Sequence, residues 1–176
     1  MDIGNSQHRA LARPAELIRP YAPEDIQQVI KLLETLRRRT PYRAIVPDWP
    51  EIVRVITACS NKRSGLVLVA DHDGRITGLL IAVAQVLWWQ NERAGARIAS
   101  DLIFYSQRPG DGAKMLKGMI EWAFSVPRVV RIECGISSGE DVEALQKLYL
   151  DAGFKKDGTR FVMDHPKYAE ALMSLA

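Results

Sequence analysis

The sequence has few of the residues that metal sites and disulfide frameworks use. Its two cysteines, Cys59 and Cys134, lie far apart, and its three histidines include no i, i+4 pair. Zinc sites need closely spaced Cys and His ligands, so we expect no metal ion and two buried, reduced thiols. No apolar run reaches the length of a transmembrane helix, and the first residues lack a signal-peptide pattern. We therefore expect a cytoplasmic protein that does not bind a membrane.

An excess of charge of one sign is also missing. The 24 Lys and Arg residues and 21 Asp and Glu residues give a formal net charge of +3, and the basic residues form no long run. We expect no nucleic-acid partner, although a mildly basic chain is compatible with an anionic ligand. A length of 176 residues with 47% hydrophobic residues suits one domain. We assign residues 1–15 to a flexible, polar N-terminal arm and 16–176 to that domain.

Hydrophobic spacing predicts a mixed α/β fold. Apolar residues recur at helical spacing after Pro23, and Asp48 followed by Glu51 resembles a capping box at the start of a second helix. A turn at residues 71–74 joins two strands as a hairpin, and Gly153 suits a left-handed helix end. The predicted strands are 16–21, the two hairpin strands within 65–88, 96–106, 129–134, 154–157 and 159–164, and the predicted helices are 22–39, 48–60, 112–125 and 139–153.

The stretch FYSQRPGDGAKML, residues 104–116, runs from a predicted strand through two glycines into a predicted helix. Such a junction presents backbone N–H groups and a helix N-terminus to an anion, usually a phosphate. Gly and Pro also occur in ordinary strand-to-helix turns, so the local sequence leaves both interpretations open. Gly110 and Gly112 lack the third glycine of a dinucleotide loop, and Lys114 does not fit a P-loop.

The segment Gln107–Ala113 resembles the Q/R-x-x-G-x-G/A motif of the GNAT superfamily, the acetyl-CoA-dependent N-acyltransferases. The segment LQKLYLDAGF, with Tyr149 four residues before Gly153, is similar to the L-Y-x-x-x-G-F segment of that family. The element order also fits from about residue 16 to residue 164. The resemblance implies a GNAT-type α/β fold, a central mixed twisted sheet flanked by helices and splayed between its fourth and fifth strands, where acyl-CoA lies.

The resemblance also implies a set of cofactor-binding residues. Main-chain groups of the fourth strand would pair with the pantetheine arm, and the loop amides would hold the pyrophosphate, as close approach at glycine and the helix dipole allow. Pro109 removes one N–H from this loop, and the Asp111 carboxylate would repel a pyrophosphate unless it points away. The implied residues are Phe104, Tyr105, Ser106, Gln107, Arg108, Gly110, Asp111, Gly112, Ala113 and Lys114.

Two residues are the candidate catalytic pair. By resemblance Tyr149 protonates the CoA sulfur, although a tyrosine at this helical position can simply pack. Asp101, flanked by apolar residues in the fourth strand, is expected to be partly buried with a raised pKa, and is our candidate base, with Glu133 as its competitor. Either carboxylate can instead be a structural ion-pair partner. A backbone N–H near Ile103 or Phe104 is the expected oxyanion donor.

The sequence thus predicts an N-acetyltransferase that moves an acetyl group from acetyl-CoA directly to an amine of a small molecule or protein. Val142 stands where the family often has Asn, with Ser137 or Ser138 as a substitute contact. The alternative is therefore an inactive acyl-CoA-binding or protein-interaction module, with a possible link to tailed phages. Trp88 and Trp89 suit rim aromatics, an acceptor-pocket wall or a homodimer contact.

The segment RRRTPYRAIVPDW, residues 37–49, lies where relatives build their acceptor-binding loops. We look for substrate specificity there. Its three successive arginines hint at an acidic partner, but a solvated helix end is the preferred interpretation.

Overall fold

A five-stranded sheet organises the chain. The computed structural model describes residues 17–91, 93, 95–136 and 142–158. The strands lie side by side in chain order, and each pair of neighbours is antiparallel except the last, which is parallel. They are β1 (Ile18–Pro20), β2 (Gly65–His72), β3 (Arg75–Val86), β4 (Arg97–Ser106) and β5 (Val129–Glu133). The parallel pair has its helix between the strands, as the sequence predicts for residues 97–134.

Helices cover both faces of this sheet. They are α1 (Ile26–Arg39), α2 (Trp49–Cys59), α3 (Asp111–Ser125) and α4 (Val142–Asp151). On one face α1 and α2 pack on alternate β3 residues such as Leu79 and Ile81, and on the other α3 and α4 pack on Leu80. Because both faces are covered, β3 is a continuous apolar run. Among the helices of the described residues, none is long and apolar enough to cross a membrane.

The predicted helix and turn signals are confirmed. The Asp48 side chain accepts a hydrogen bond from the Glu51 N–H at 3.1 Å and so caps α2. Asp73 and Gly74 both have positive φ, 55° and 84°, which is the backbone of a tight hairpin turn between β2 and β3. Gly153 follows α4 with φ of 91°. These local residues therefore set the ends of the elements as expected.

A β-bulge interrupts β4. Ile103 lies opposite Ile81 and Asp101 lies opposite Ala82, so Leu102 is an extra residue on β4. Ala99 and Phe104 both belong to the α3 and α4 core although they are five positions apart in the chain. A regular strand would send these two side chains to opposite faces, and the bulge reverses the alternation.

Two predictions for the sheet need correction. Residues 154–157 form no strand, because the chain after α4 turns Phe154 back onto the core, and their predicted partner, 159–164, lies outside the described residues. Strand β3 ends at Val86, so Trp88 and Trp89 lie in the following turn and not in a strand. A turn does not alternate side chains as a strand does, and both tryptophans are exposed, by 88% and 61%.

Candidate active site

The sheet opens between β4 and β5. Their parallel pairing runs from Arg97 and Val129 to Ser100 and Glu133, whereas β4 continues to Ser106. Residues 101–106 therefore keep one backbone edge that β5 does not cover. A free strand edge can accept an extended ligand by main-chain hydrogen bonding. This is the splayed sheet that the resemblance implies.

The glycine loop connects this open strand to α3. Gly110, at the N-cap of α3, has φ of 86°, a conformation that favours glycine. The Gln107 N–H donates to the Thr77 carbonyl at 2.8 Å, and the Arg108 N–H donates to Ser106 Oγ at 3.2 Å. The N–H groups of these two residues already have partners, and Pro109 has no N–H group. The N–H groups that an anion could use are therefore those of the first turn of α3, residues 110–113.

The Asp111 side chain points away from this first turn. Its carboxylate is buried and accepts from His72 Nε2 at 2.8 Å, with Thr77 Oγ1 at 3.4 Å. On the other side of the ring, Arg108 Nη1 lies 2.7 Å from His72 Nδ1. Because a guanidinium can only donate, the ring accepts at Nδ1 and donates from Nε2. The chain of contacts removes the expected repulsion and fixes Arg108 beside the loop.

A cavity of about 280 Å³ lies between the open part of β4, the loop and α4. We call it the cofactor-side cavity. Of the ten predicted cofactor-binding residues, Gln107, Asp111 and Lys114 are not part of its lining. Those that line it are Phe104, Tyr105, Ser106, Arg108, Gly110, Gly112 and Ala113.

The two candidate catalytic residues lie in one cluster. Asp101 Oδ1 accepts a long hydrogen bond, 3.4 Å, from the Gly135 N–H, and the Cys134 thiol is a second donor beside this carboxyl group. Burial raises the pKa of Asp101 above its usual range, and the two donors only partly oppose this shift. Burial and the nearby Asp101 charge raise the pKa of Tyr149 and of the Cys134 thiol. The cluster therefore holds a carboxyl group of increased basicity beside a phenol that keeps its proton at neutral pH.

Tyr149 is held by the end of its own helix. The Phe154 N–H donates to the Tyr149 carbonyl and the Gly153 N–H donates to the Leu150 carbonyl, both at 3.0 Å. These bonds form a Schellman motif, in which the flanking apolar residues pack together. The Phe154 and Tyr149 rings accordingly lie 5.4 Å apart, and Phe104 approaches Tyr149 from β4 at 6.2 Å. The left-handed Gly153 thus fixes the position of the phenol.

A second cavity, of about 290 Å³, contains Asp101 and Tyr149. We call it the acceptor-side cavity. Its walls come from α1, the connection between α1 and α2, α2 itself, β4 and α4, and they include Thr40, Tyr42 and Trp49 of the segment in which we expected substrate specificity. Ile103 and Phe104, the predicted neighbours of the oxyanion donor, also line it. The two cavities adjoin, since Leu36, Phe104 and Leu145 line both.

Several sequence candidates lie elsewhere. Glu133 pairs with Arg131 at 3.0 Å on the exposed surface and does not line either cavity, which leaves Asp101 as the candidate base. Trp88 and Trp89 line neither cavity. Ser137 and Ser138 lie outside the described residues. Within the described ranges, no group of three or more possible metal ligands occurs.

Sequence reasoning missed Cys134 and His72. Cys134 directly follows β5, and the parallel register that places Glu133 beside Ser100 brings the next residue of each strand together. His72, at the hairpin turn, reaches Asp111 through the packing of β2 and β3 against α3, which has no local signal in the sequence.

No family model and no curated protein matches the sequence. Solved structures match its fold. A transcriptional regulator from Bacillus halodurans C-125 has a TM-score of 0.62 at 21% identity, over 84% of this chain and 98% of its own. A Trypanosoma brucei acetyltransferase has a TM-score of 0.62 at 18% identity, over 84% of this chain and 98% of its own. A third match is an aminoglycoside acetyltransferase from an uncultured soil metagenomic sample, in complex with sisomicin. It has a TM-score of 0.58 at 15% identity, over 84% of this chain and 95% of its own.

At these identities the likeness concerns the fold. The neighbours include further acetyltransferases with the same extent of coverage. The mixed sheet with its parallel β4 and β5, the glycine loop that leads into α3 and the Tyr149 helix agree with the resemblance noted in the sequence. The chain has the fold of the GNAT-type acetyltransferases.

Proposed function

We propose that this protein is an N-acetyltransferase that uses acetyl-CoA and acetylates an amine directly. The observation that carries the proposal is the junction of the two cavities at Phe104. One cavity lies beside a helix N-terminus suited to a pyrophosphate, and the other contains a basic carboxylate and a phenol. An acyl donor on one side and an amine on the other would meet beside Asp101 and Tyr149.

The residues of the cofactor-side cavity fit acetyl-CoA. The uncovered edge of β4 can pair with the two amides of a pantetheine arm, and the first-turn amides of α3 can hold the pyrophosphate. Arg108, fixed by His72, adds a positive charge there. Gly110 leaves open space, since no heavy atom lies within 4 Å of the position of an added Cβ. Bound acetyl-CoA supplies the acetyl group as a thioester.

Asp101 and Tyr149 then have complementary roles. An amine is largely protonated at neutral pH, so the Asp101 carboxylate takes its proton and leaves a neutral nitrogen that can attack the carbonyl carbon. As the C–N bond forms and the C–S bond breaks, Tyr149 donates its proton to the departing sulfur. The acceptor nitrogen, positively charged after the attack, loses a second proton as the amide forms, and one proton returns to the Tyr149 oxygen. Cys134, a thiol with a raised pKa, stays protonated and orients Asp101.

The experiment is a titration of the purified protein with acetyl-CoA and with CoA, followed by thiol release over a panel of amines. Binding should raise the free energy of unfolding by about 2.7 kcal/mol at a hundredfold excess over Kd. For a chain of this length that corresponds to about 5–11 °C in Tm. Thiol release should require an amine. Absence of CoA binding would refute the proposal, and tight binding without transfer to any amine would favour the binding-module alternative.

A further inference from the structure

The walls of the acceptor-side cavity are mainly apolar. Helix α1 contributes Leu33 and Leu36, α2 contributes Trp49 and Ile52, and β4 contributes Ile103. Such walls favour a ligand that loses apolar surface to them, and their aliphatic side chains offer an ammonium group no compensation for its lost water. The composition of the cavity thus limits how much charge an acceptor can bring into it.

Two charged side chains belong to the described lining, and one of them is already paired. Arg37 donates to both carboxylate oxygens of Glu34, at 2.8 and 2.9 Å, and to a carbonyl of the loop that follows. Its guanidinium therefore braces the connection between α1 and α2. Asp101 accepts from the uncharged Cys134 thiol and Gly135 N–H. Among the lining residues that the structure describes, Asp101 is the carboxylate that can receive a cation.

The volume of this cavity indicates the size of the acceptor body that it can hold. An apolar cavity of about 150 Å³ holds one benzene ring. The acceptor-side cavity, at about 290 Å³, therefore has room for one ring, a short alkyl chain and the acetyl group. A body of this size would place its ammonium at Asp101 while the ring contacts the walls supplied by Trp49 and Ile52.

We propose that the acceptor is a small primary monoamine with an apolar, ring-sized body, in effect an arylalkylamine. This inference rests on the acetyl transfer proposed above and adds its substrate class. A polyamine or an aminoglycoside would bring further ammonium groups into a cavity where the described residues offer one receptive carboxylate. The second charge would then be buried without a partner, which is strongly unfavourable.

The test compares phenethylamine and tryptamine with spermidine and sisomicin as acceptors for the full chain and acetyl-CoA. We expect kcat/KM for each of the two arylalkylamines to exceed kcat/KM for spermidine and sisomicin by about tenfold or more, because a polycation would bury one unpaired charge. Equal or better transfer to spermidine or sisomicin would overturn the inference. Transfer to a peptide with an apolar N-terminal residue, with phenethylamine refused, would also overturn it.

A variant at the cavity rim tests the charge argument. Tyr42 lines the cavity and is 46% exposed, so its replacement is tolerable for the fold. Tyr42→Glu adds a second carboxylate, and it should raise the ratio of spermidine to phenethylamine turnover by several-fold. Tyr42→Gln has the same size without the charge and should leave the ratio close to the wild-type value. An equal shift in both variants would contradict the role given to charge.

Direct binding separates this inference from the proposed function. Calorimetry on the CoA-saturated protein measures amine affinity without any transfer. Tighter binding of phenethylamine than of spermidine, with no acetylation, would refute the acetyltransferase and keep the ligand class. Acetylation with a preference for polycations would keep the acetyltransferase and refute the ligand class. Absence of both amine binding and transfer would refute both.

Discussion

Replacement of Asp101 by asparagine removes the proposed base and preserves the size of the side chain. General base catalysis contributes about 10²–10⁴-fold, so kcat should fall by that factor, or about 2.7–5.4 kcal/mol in the barrier. The affinity for CoA should stay, because Asp101 lines the acceptor-side cavity and not the cofactor-side cavity. The variant therefore separates catalysis from cofactor binding.

The same substitution should stabilise the fold at neutral pH. Burial raises the pKa of Asp101 in the folded protein above its value in the unfolded chain. Between these two values the folded state binds more protons, so the free energy of unfolding falls as the pH rises through the window. Asparagine cannot ionise and avoids this loss. The gain in stability of the variant over the wild type should be smallest below the pKa that Asp101 has in the unfolded chain. It should reach its full size above the pKa that Asp101 has in the folded protein.

Two assays examine this prediction. Thiol release across a pH series should give wild-type kcat/KM an acid limb above the ordinary range of aspartate, and Asp101→Asn should lose that limb. Thermal unfolding across the same series should show the growing stability of the variant. An unchanged kcat with the same acid limb would remove Asp101 from the mechanism. A less stable variant at neutral pH would refute the argument from burial.

Three other substitutions test the remaining parts of the site. Tyr149→Phe should lower kcat by about 10²-fold or more with CoA affinity retained, since only the proton donor is lost; unchanged turnover would contradict its role as acid. Gly112→Glu should abolish CoA binding but not folding, because an added Cβ lies 3.5 Å from Phe104 while the new carboxylate competes for the α3 N-terminus; titration and circular dichroism measure both. Gly153→Ala, at φ of 91°, should lower stability by about 1–2 kcal/mol and also lower kcat. Gly74→Ala, at φ of 84°, is the matched control, with similar strain and unchanged kcat.

Much of the fold could be predicted because its signals are local. The Asp48 cap, the Asp73–Gly74 turn and Gly153 each act within a few residues, and the structure has each as expected. The last strands were harder. A strand needs a partner, and the short run 154–157 begins instead with the Schellman contact of Phe154. Tertiary packing decided that segment, which spacing alone could not show.

The site was predictable in its residue types but not in its arrangement. Asp101 could be chosen because a carboxylate in an apolar strand is unusual, and its raised pKa agrees with that argument. The bulge at Leu102, which reverses the alternation of β4, has no sequence signal. Neither does the contact of Asp111 with His72, which joins residues 39 positions apart. Long-range contacts of this kind determine which loop amides and charges remain for a ligand.

The two cavities meet at a shared border but take their outer walls from different parts of the chain. Residues of the segment from Thr40 to Ile52 line the acceptor-side cavity alone, whereas residues 105–113 line the cofactor-side cavity alone; α4 contributes to both. Substitutions in this short stretch, which Arg37 anchors, can therefore change the acceptor-side cavity without altering the residues that line only the cofactor-side cavity. Under the proposed function, selection or a laboratory graft of that stretch could exchange one amine acceptor for another and leave the proposed acetyl-CoA site unchanged.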